Sequence, residues 1–417
     1  MAYRILVALV FAILPLEAYA KWSSRGQLGI ESRGFLDDDN AATVDQALGL
    51  FGRLQIDHKS KPFRERLRLY GRLDREDLER TILVVEEAWV EWKAKPFRVR
   101  AGFDLLNWTA TEAFHPSDIL NSRNLDSSIQ NYDKLGEPMV SLSYKGTIGV
   151  LTAYFLPTVI NPILPSPNSR LSFSPGLQTQ FAYLDQNGEL LDDWFKPQGA
   201  LRWNRGFDDF DLSFHAVRHL DRSQPSIGLL DGAPTALFQT VTQLGGTYQH
   251  VLGAWILKCE GGWRFFEPIT TQSGLALLSE GTGKPNHGRL ALGLEYGTSL
   301  ASGAESTLIL EGQTILGTTR AEALELDLFQ GDILLGYRYA FNDVDSKALL
   351  VSVILDVEDP EEIIGSAQYS QRLGDTWTFN ASLRLVEAPE PTEAIGGSQL
   401  RRIRDSDFLG IEFMRHF

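Results

Sequence analysis

Apolar and polar residues alternate along most of this chain with a period of two. Between Phe63 and Asp74, Leu67, Leu69, Gly71 and Leu73 share one parity, while Arg64, Arg66, Arg68, Tyr70, Arg72 and Asp74 share the other. That period places the two sets on opposite faces of a β-strand. On a helix the same arginines would scatter around the circumference. Phe210, Leu212, Phe214 and Ala216 alternate in the same way with Asp209, Asp211, Ser213 and His215. So do Leu290, Leu292, Leu294 and Tyr296 with Arg289, Ala291, Gly293 and Glu295. Leu349 to Val357 and Trp377 to Leu385 carry two more apolar faces. The pattern predicts an all-β chain.

Alternation alone fits a membrane barrel and a soluble sandwich equally, because each buries one face. The gaps between strands separate the two. Reading the pattern through to the end gives about eighteen strands, including one over 324–341 and a last one over 404–417; sixteen and twenty remain open. Long connections fall near 105–137, 156–196, 220–235, 267–286 and 388–403, and each follows an odd-numbered strand. Short ones fall at 58–62, 94–95, 206–208, 251–253, 299–303, 342–345 and 373–375. A single transmembrane antiparallel β-barrel has this parity, with short periplasmic turns, long extracellular loops and both termini periplasmic. A sandwich has no reason for it.

The N-terminus agrees. Arg4, the apolar run Ile5–Leu16 and the small-residue site Ala18-Tyr19-Ala20 form the three regions of a secretory signal peptide, with cleavage expected before Lys21. Pro15 and Glu17 interrupt the run, which falls short of the roughly 20 apolar residues of a membrane anchor. Residues 1–20 are therefore read as the signal and 21–417 as the barrel. No plug-sized segment precedes the first strand, which argues against an energised receptor-type transporter. Cys259 is the single cysteine, so no disulfide closes within the chain. A core or lipid must supply the apolar environment instead.

At the other end, Leu409, Ile411, Phe413 and Phe417 share a parity, and Phe417 is the last residue. This resembles the C-terminal recognition strand of Gram-negative outer-membrane proteins, and implies Phe413 and Phe417 as the insertion signal read by the barrel-assembly machinery. Arg415 departs from that pattern by placing a charge where an apolar residue is usual. A basic residue near the membrane rim can snorkel.

The formal net charge of −15 is uneven. Phe51–Asp104 holds 13 Lys and Arg against 10 Asp and Glu, a net of +3, which leaves −18 elsewhere. Within that stretch Arg64, Arg66, Arg68, Arg72, Arg98 and Arg100 lie on polar faces. On a lipid face each would cost roughly 2–4 kcal/mol near the midplane, so they are expected to line a water-filled lumen. They form either an arginine ladder that attracts anions or a set of ion pairs, with Glu87 and Glu91 as the carboxylate partners.

Two loops are long enough to enter the bore. Residues 156–196 contain five prolines that forbid a continuous strand. Residues 105–137 carry Asn107-Trp108, His115-Pro116-Ser117-Asp118 and enough apolar side chains to pack in order. The run from Arg100-Ala101-Gly102-Phe103 through Trp108, Pro116-Ser117-Asp118 and Gly136-Glu137-Pro138 resembles the middle of porin-like outer-membrane proteins. The basic lumen is similar to the alginate-export-like branch, whose arginine-lined barrels pass an anionic polymer. The resemblance implies a passive channel for small or extended polar solutes, with an anionic preference. A barrel that sheathes an envelope or secretion partner is the alternative.

Enzymatic readings are weak. Gly-x-Ser-x-Gly is absent, and Gly281-Thr282-Gly283-Lys284 lacks the spacing of a phosphate loop. His215 and His219 share a face but stand about 13 Å apart along a strand, too far to bind one zinc ion. Ser213 with His215 is the remaining hydrolase pair. No cofactor, resident metal or nucleic acid is expected. The acidic runs Asp37-Asp38-Asp39-Asn40 and Glu358-Asp359-Pro360-Glu361-Glu362 are either solvated turns or cation bridges to lipopolysaccharide. Outer-membrane lipid is the expected surrounding; monomer or trimer stays open.

Overall fold

The computed structural model describes residues 21–37, 43–129, 132–172, 179–185, 187–223, 225–269, 275–277, 283–391 and 397–417. The signal-peptide reading of 1–20 and most of the acidic run at 37–40 lie outside these residues.

Eighteen long strands form one closed antiparallel barrel. They are β1 (Lys21–Phe35), β2 (Gln46–Ser60), β3 (Phe63–Asp74), β4 (Ile82–Ala94), β5 (Phe97–Asp104) and β6 (Glu137–Gly146). Then come β7 (Gly149–Leu156), β8 (Gln198–Gly206), β9 (Phe210–Leu220), β10 (Ala233–Leu252), β11 (Trp255–Phe266) and β12 (His287–Ser299). The last six are β13 (Glu305–Leu316), β14 (Gly331–Ala340), β15 (Ala348–Asp356), β16 (Ile363–Leu373), β17 (Trp377–Glu387) and β18 (Phe408–His416). Each pairs with its neighbour in sequence. The ring closes where β1 meets β18, in register from Gln27↔His416 to Phe35↔Phe408.

Loop lengths alternate as the sequence predicts. Even-numbered strands are followed by tight connections such as 61–62, 95–96 and 253–254, and odd-numbered ones by segments as long as 105–136 and 157–197. The ends of β1 and β18 both reach the rim with the short turns, where Lys21 pairs with Lys59 and His416 donates its N–H to Thr376.

The outward face is the apolar one. Leu28, Ile30, Leu50, Leu73, Leu83, Leu142 and Leu308 are all exposed there. Outward aromatic residues gather beside the short turns, with Trp22, Phe63, Trp92, Phe97, Tyr144, Trp255 and Trp377 among them. Phe413 faces outward and stacks on Trp377 at 4.6 Å, while the Arg415 guanidinium sits over the same indole at 5.8 Å. Arg415 thus spreads its charge over an aromatic face at the rim. Phe417 closes the seam by exchanging two backbone hydrogen bonds with Gly26, at 2.8 and 3.0 Å.

Three details depart from the sequence reading. Residues 324–341 are not one strand: α1 (Arg320–Leu326) comes first and β14 begins only at Gly331. Thr319 and Glu322 form a reciprocal capping box there, so Thr-x-x-Glu is the helix start signal that the alternation masks. The last strand begins at Phe408, because Leu400–Ile403 form a 3₁₀ turn. Short strands also occur within loops that were expected to hold none. Gln180–Leu184 runs parallel to the upper part of β10, which rises past the rim as Ala233–Gln239. Five of the six prolines of its loop precede it.

Candidate functional site

The bore is crossed by its own chain. Residues 105–136 leave β5, pass through the barrel and dock on the opposite wall. Glu260 of β11 is fully buried and accepts the N–H groups of Ala110, Thr111 and Ser117 at 3.2–3.3 Å. Glu311 of β13 accepts those of Glu112 and Ala113, at 2.5 and 2.9 Å. In return the loop's Glu112 receives Lys258 at 2.9 Å and Arg338 at 2.8 Å. The Ser117 hydroxyl reaches the backbone carbonyl of Gly246 at 3.1 Å. That approach needs a bare wall, and the inward pair Gly245↔Gly262 supplies it across β10 and β11. Paired glycines inside alternating strands are the signal that marks where another backbone arrives.

The crossing segment has its own internal support. Asp118 is buried between Arg123 and Lys134, at 2.7 and 2.5 Å. Burial alone would raise its pKa, but the two cations outweigh this and hold the carboxyl below its ordinary value. Trp108 packs between Tyr154 and His215, with the Arg202 guanidinium 5.1 Å above it. Glu137 of β6 ties three long loops together through Ser122, the Ile160 N–H and Arg222, the last at 2.9 Å. The 157–197 loop lies on top of the first. The Ile163 carbonyl accepts the Leu125 N–H at 2.8 Å and the Ile163 N–H donates to the Arg123 carbonyl at 3.0 Å; Ser169 reaches Asp126 at 2.7 Å, and Leu171 joins the cluster of Phe114, Ile129 and Phe329. Apolar packing therefore fills part of the long-loop end of the barrel.

The six arginines expected in the lumen lie on the strand parity opposite the exposed apolar residues, and all are close to carboxylates. Arg66 binds Asp57 at 2.8 Å and Glu87 at 3.3 Å; Arg68 binds Glu86 at 2.7 Å and Glu87 at 3.2 Å. Arg100 bridges Glu91 and Asp104, each at 2.8 Å, while Arg64 and Arg98 stand 4.0 Å from Glu91. Arg72 lies deeper, bonded to the Arg80 carbonyl and 3.8 Å from Glu31. Glu86, which the alternation pattern does not single out, also holds Arg53 at 2.8 Å. On a regular strand Glu86 and Glu87 would face opposite ways. The register slips between Arg68 and Leu69, and that bulge in β4 turns both inward. Along β2–β5, Arg53, Arg64, Arg66, Arg68, Arg98 and Arg100 thus meet Asp57, Glu86, Glu87, Glu91 and Asp104. Six positive charges face five negative ones.

The wall that meets this one through β1 is more open. A cavity of about 490 Å³ lies against β14–β18, bounded on the loop side by Ser127, Ser128 and Ile129. Its floor is mainly neutral and polar, with Ser366, Gln368, Ser370, Asn380 and Ser382, and Arg33, Arg338 and Arg384 at its edges.

The hydrolase pair is not assembled. The Ser213 hydroxyl bonds Thr247 at 2.7 Å, and His215 Nε2 faces Gln243 at 3.2 Å. His219 binds Arg222 through Nδ1. Among the described residues no group of His, Cys, Asp and Glu could hold a metal ion.

No protein-family model matches the chain, and no curated protein sequence matches it. Solved structures are similar in outline. OccD3 (OpdP) of Pseudomonas aeruginosa has a TM-score of 0.49 at 9% identity, over 96% of this chain and 91% of that one. Salmonella typhi OmpF in complex with daunomycin has 0.46 at 8%, over 95% and 98%. The outer membrane channel DcaP of Acinetobacter baumannii has 0.45 at 12%, over 97% and 99%. The porin-like architecture stands on this chain's own geometry: a closed barrel, short turns at one rim, long loops at the other and one loop inside the bore.

Proposed function

We propose that this chain is a passive channel of the Gram-negative outer membrane for small or extended polar solutes. One observation carries the reading: a wide barrel is narrowed from within by a loop tethered to the far wall. Barrels of 16–18 strands leave an aqueous channel, and an inward loop sets its size limit. A sheath around a partner would need the bore clear, whereas here the 105–136 loop occupies it. The apolar outer band and the aromatic rim suit a bilayer. The mature chain begins at Lys21, with both termini and the short turns in the periplasm.

Selectivity follows from the ion pairs. The β2–β5 arginines have their charge largely balanced nearby, so that wall adds only a weak anion preference. The purified protein in planar bilayers should give discrete conductance steps, and an electrically silent barrel would reject the channel. Insertion is proposed to depend on the outward Phe413 and the seam residue Phe417. Phe413→Asp puts a charge on the lipid face and should leave most of the protein degraded in the periplasm, as membrane fractionation would show. Normal outer-membrane levels of that variant would remove the insertion role.

A further inference from the structure

Two arginines of the lumen, Arg33 and Arg384, flank one phenyl ring, and among the described residues neither is ion-paired to a carboxylate. Phe408 of β18 points inward beside Gly410, and a Cβ there would meet the ring at 3.1 Å and the Ser382 hydroxyl at 2.5 Å. With no side chain at 410, the ring lies down along the wall. Arg384 of β17 approaches it from one neighbouring strand, its guanidinium 4.5 Å from the ring centre, and Arg33 of β1 from the other, at 5.3 Å.

Neither guanidinium has a described carboxylate within 4 Å. The nearby Glu31 and Asp126 are already shared by Arg72 and Arg80, and Asp407, next to Phe408, accepts the Val386 N–H at 2.5 Å. Arg384 is 5% exposed and donates one N–H to the Ser406 carbonyl at 3.1 Å, while its buried Nε has no partner. Both arginines border the 490 Å³ cavity, beside Ser366, Asn380 and Ser382. The nearest cavity carboxylate on their strands, Glu412, is four residues along β18 from Phe408, about 13 Å away, and accepts from Asn380 at 3.1 Å.

Buried charge without a counter-charge is costly. An oxyanion in the cavity would satisfy the open donors, and guanidinium groups match a carboxylate in plane and spacing. The phenyl face between them offers apolar contact to the remainder of such a molecule. From this geometry we infer that Arg33, Arg384 and Phe408 form a binding station for small organic carboxylates, with the serine and asparagine side chains as hydroxyl and amide contacts. The station rests on the channel reading for its role in passage, but the binding itself does not.

Benzoate is the probe. Added to wild-type channels in planar bilayers, it should interrupt the current in a concentration-dependent way. Uncharged benzyl alcohol should not. Arg33→Gln with Arg384→Gln should raise the half-blocking benzoate concentration at least about tenfold, and Arg33→Gln alone should weaken block by a smaller factor. Phe408→Leu should weaken benzoate more than acetate. Equal block in wild type and the double variant, or equal block by benzyl alcohol, overturns the station. A second measurement works without conductance. In a Cys259→Ser, Ser382→Cys background, benzoate should protect the new thiol from a water-soluble maleimide, and the two Arg→Gln changes should abolish that protection. If the barrel is silent in bilayers yet protection is seen, the channel reading fails and the station stands. Conducting channels with neither block nor protection would overturn the station and leave the channel.

Discussion

The two sides of the lumen use the same residue to opposite effect. On β2–β5, Arg66, Arg68 and Arg100 each contact two carboxylates within 3.3 Å, and the wall carries almost no net charge. Near the barrel seam, Arg33 and Arg384 contact a phenyl ring and no carboxylate among the described residues. The side with more arginines therefore has the weaker field per arginine. In pairs such as Arg68–Glu86 the carboxylate is buried and its desolvation offsets much of the attraction, so that network matters more for fixing side chains and cancelling charge. What an arginine does in a lumen depends on its neighbours across the strand, not on its count along the chain.

The sharpest way to break this comparison is to reverse the paired wall. Arg66→Glu with Arg68→Glu leaves Asp57 and Glu87 without their cations, leaves only Arg53 on Glu86, and should turn the pore cation-selective by about tenfold. Reversal potentials in a salt gradient read this directly. An unchanged ratio would mean that permeating ions do not pass that wall. A smaller effect of opposite sign comes from Glu86→Gln with Glu87→Gln, which frees Arg53 and Arg68, leaves Arg66 on Asp57 alone, and brings the paired wall closer to the open one. Anion preference should rise roughly threefold at 0.1 M salt and fade toward 1 M, where the Debye length is about 3 Å. A rise that survives 1 M salt would point to a specific site instead of a field. The mildest test leaves the charges in place elsewhere. With Cys259→Ser, Arg66→Cys should react with a water-soluble thiol reagent and Leu67→Cys should not. Reaction at both positions would contradict the facing on which the whole comparison rests.

Most of the barrel is legible in the chain. Period-two alternation separates Leu67 from Arg66, and the strand-to-strand parity of loop lengths distinguishes a barrel from a sandwich. These signals are local, so they survive without knowledge of neighbours. The departures also have local causes: the Thr319–Glu322 capping box opens a helix just where the alternation suggests the approach to a strand. The candidate site is legible only in part. Alternation assigns Arg64 to Arg100 a face and points to Glu87 and Glu91 as partners. It cannot point to Glu86, because the bulge that turns that side chain inward arises from the pairing of β3 with β4.

By itself, then, the sequence determined which residues face lipid and which face the lumen, since strand geometry forces that choice within a few residues. Gly245 and Gly262 leave a stretch of the lumen wall without side chains. Only the tertiary structure decided that Ser117 docks there, that Glu112 is tethered by Lys258 and Arg338, and that Arg33 meets Arg384 across Phe408. Arg33 and Arg384 are joined only because the first strand pairs with the last. Ring closure brings together residues from opposite ends of the chain, and no pattern along the chain encodes which side chains will meet at that seam.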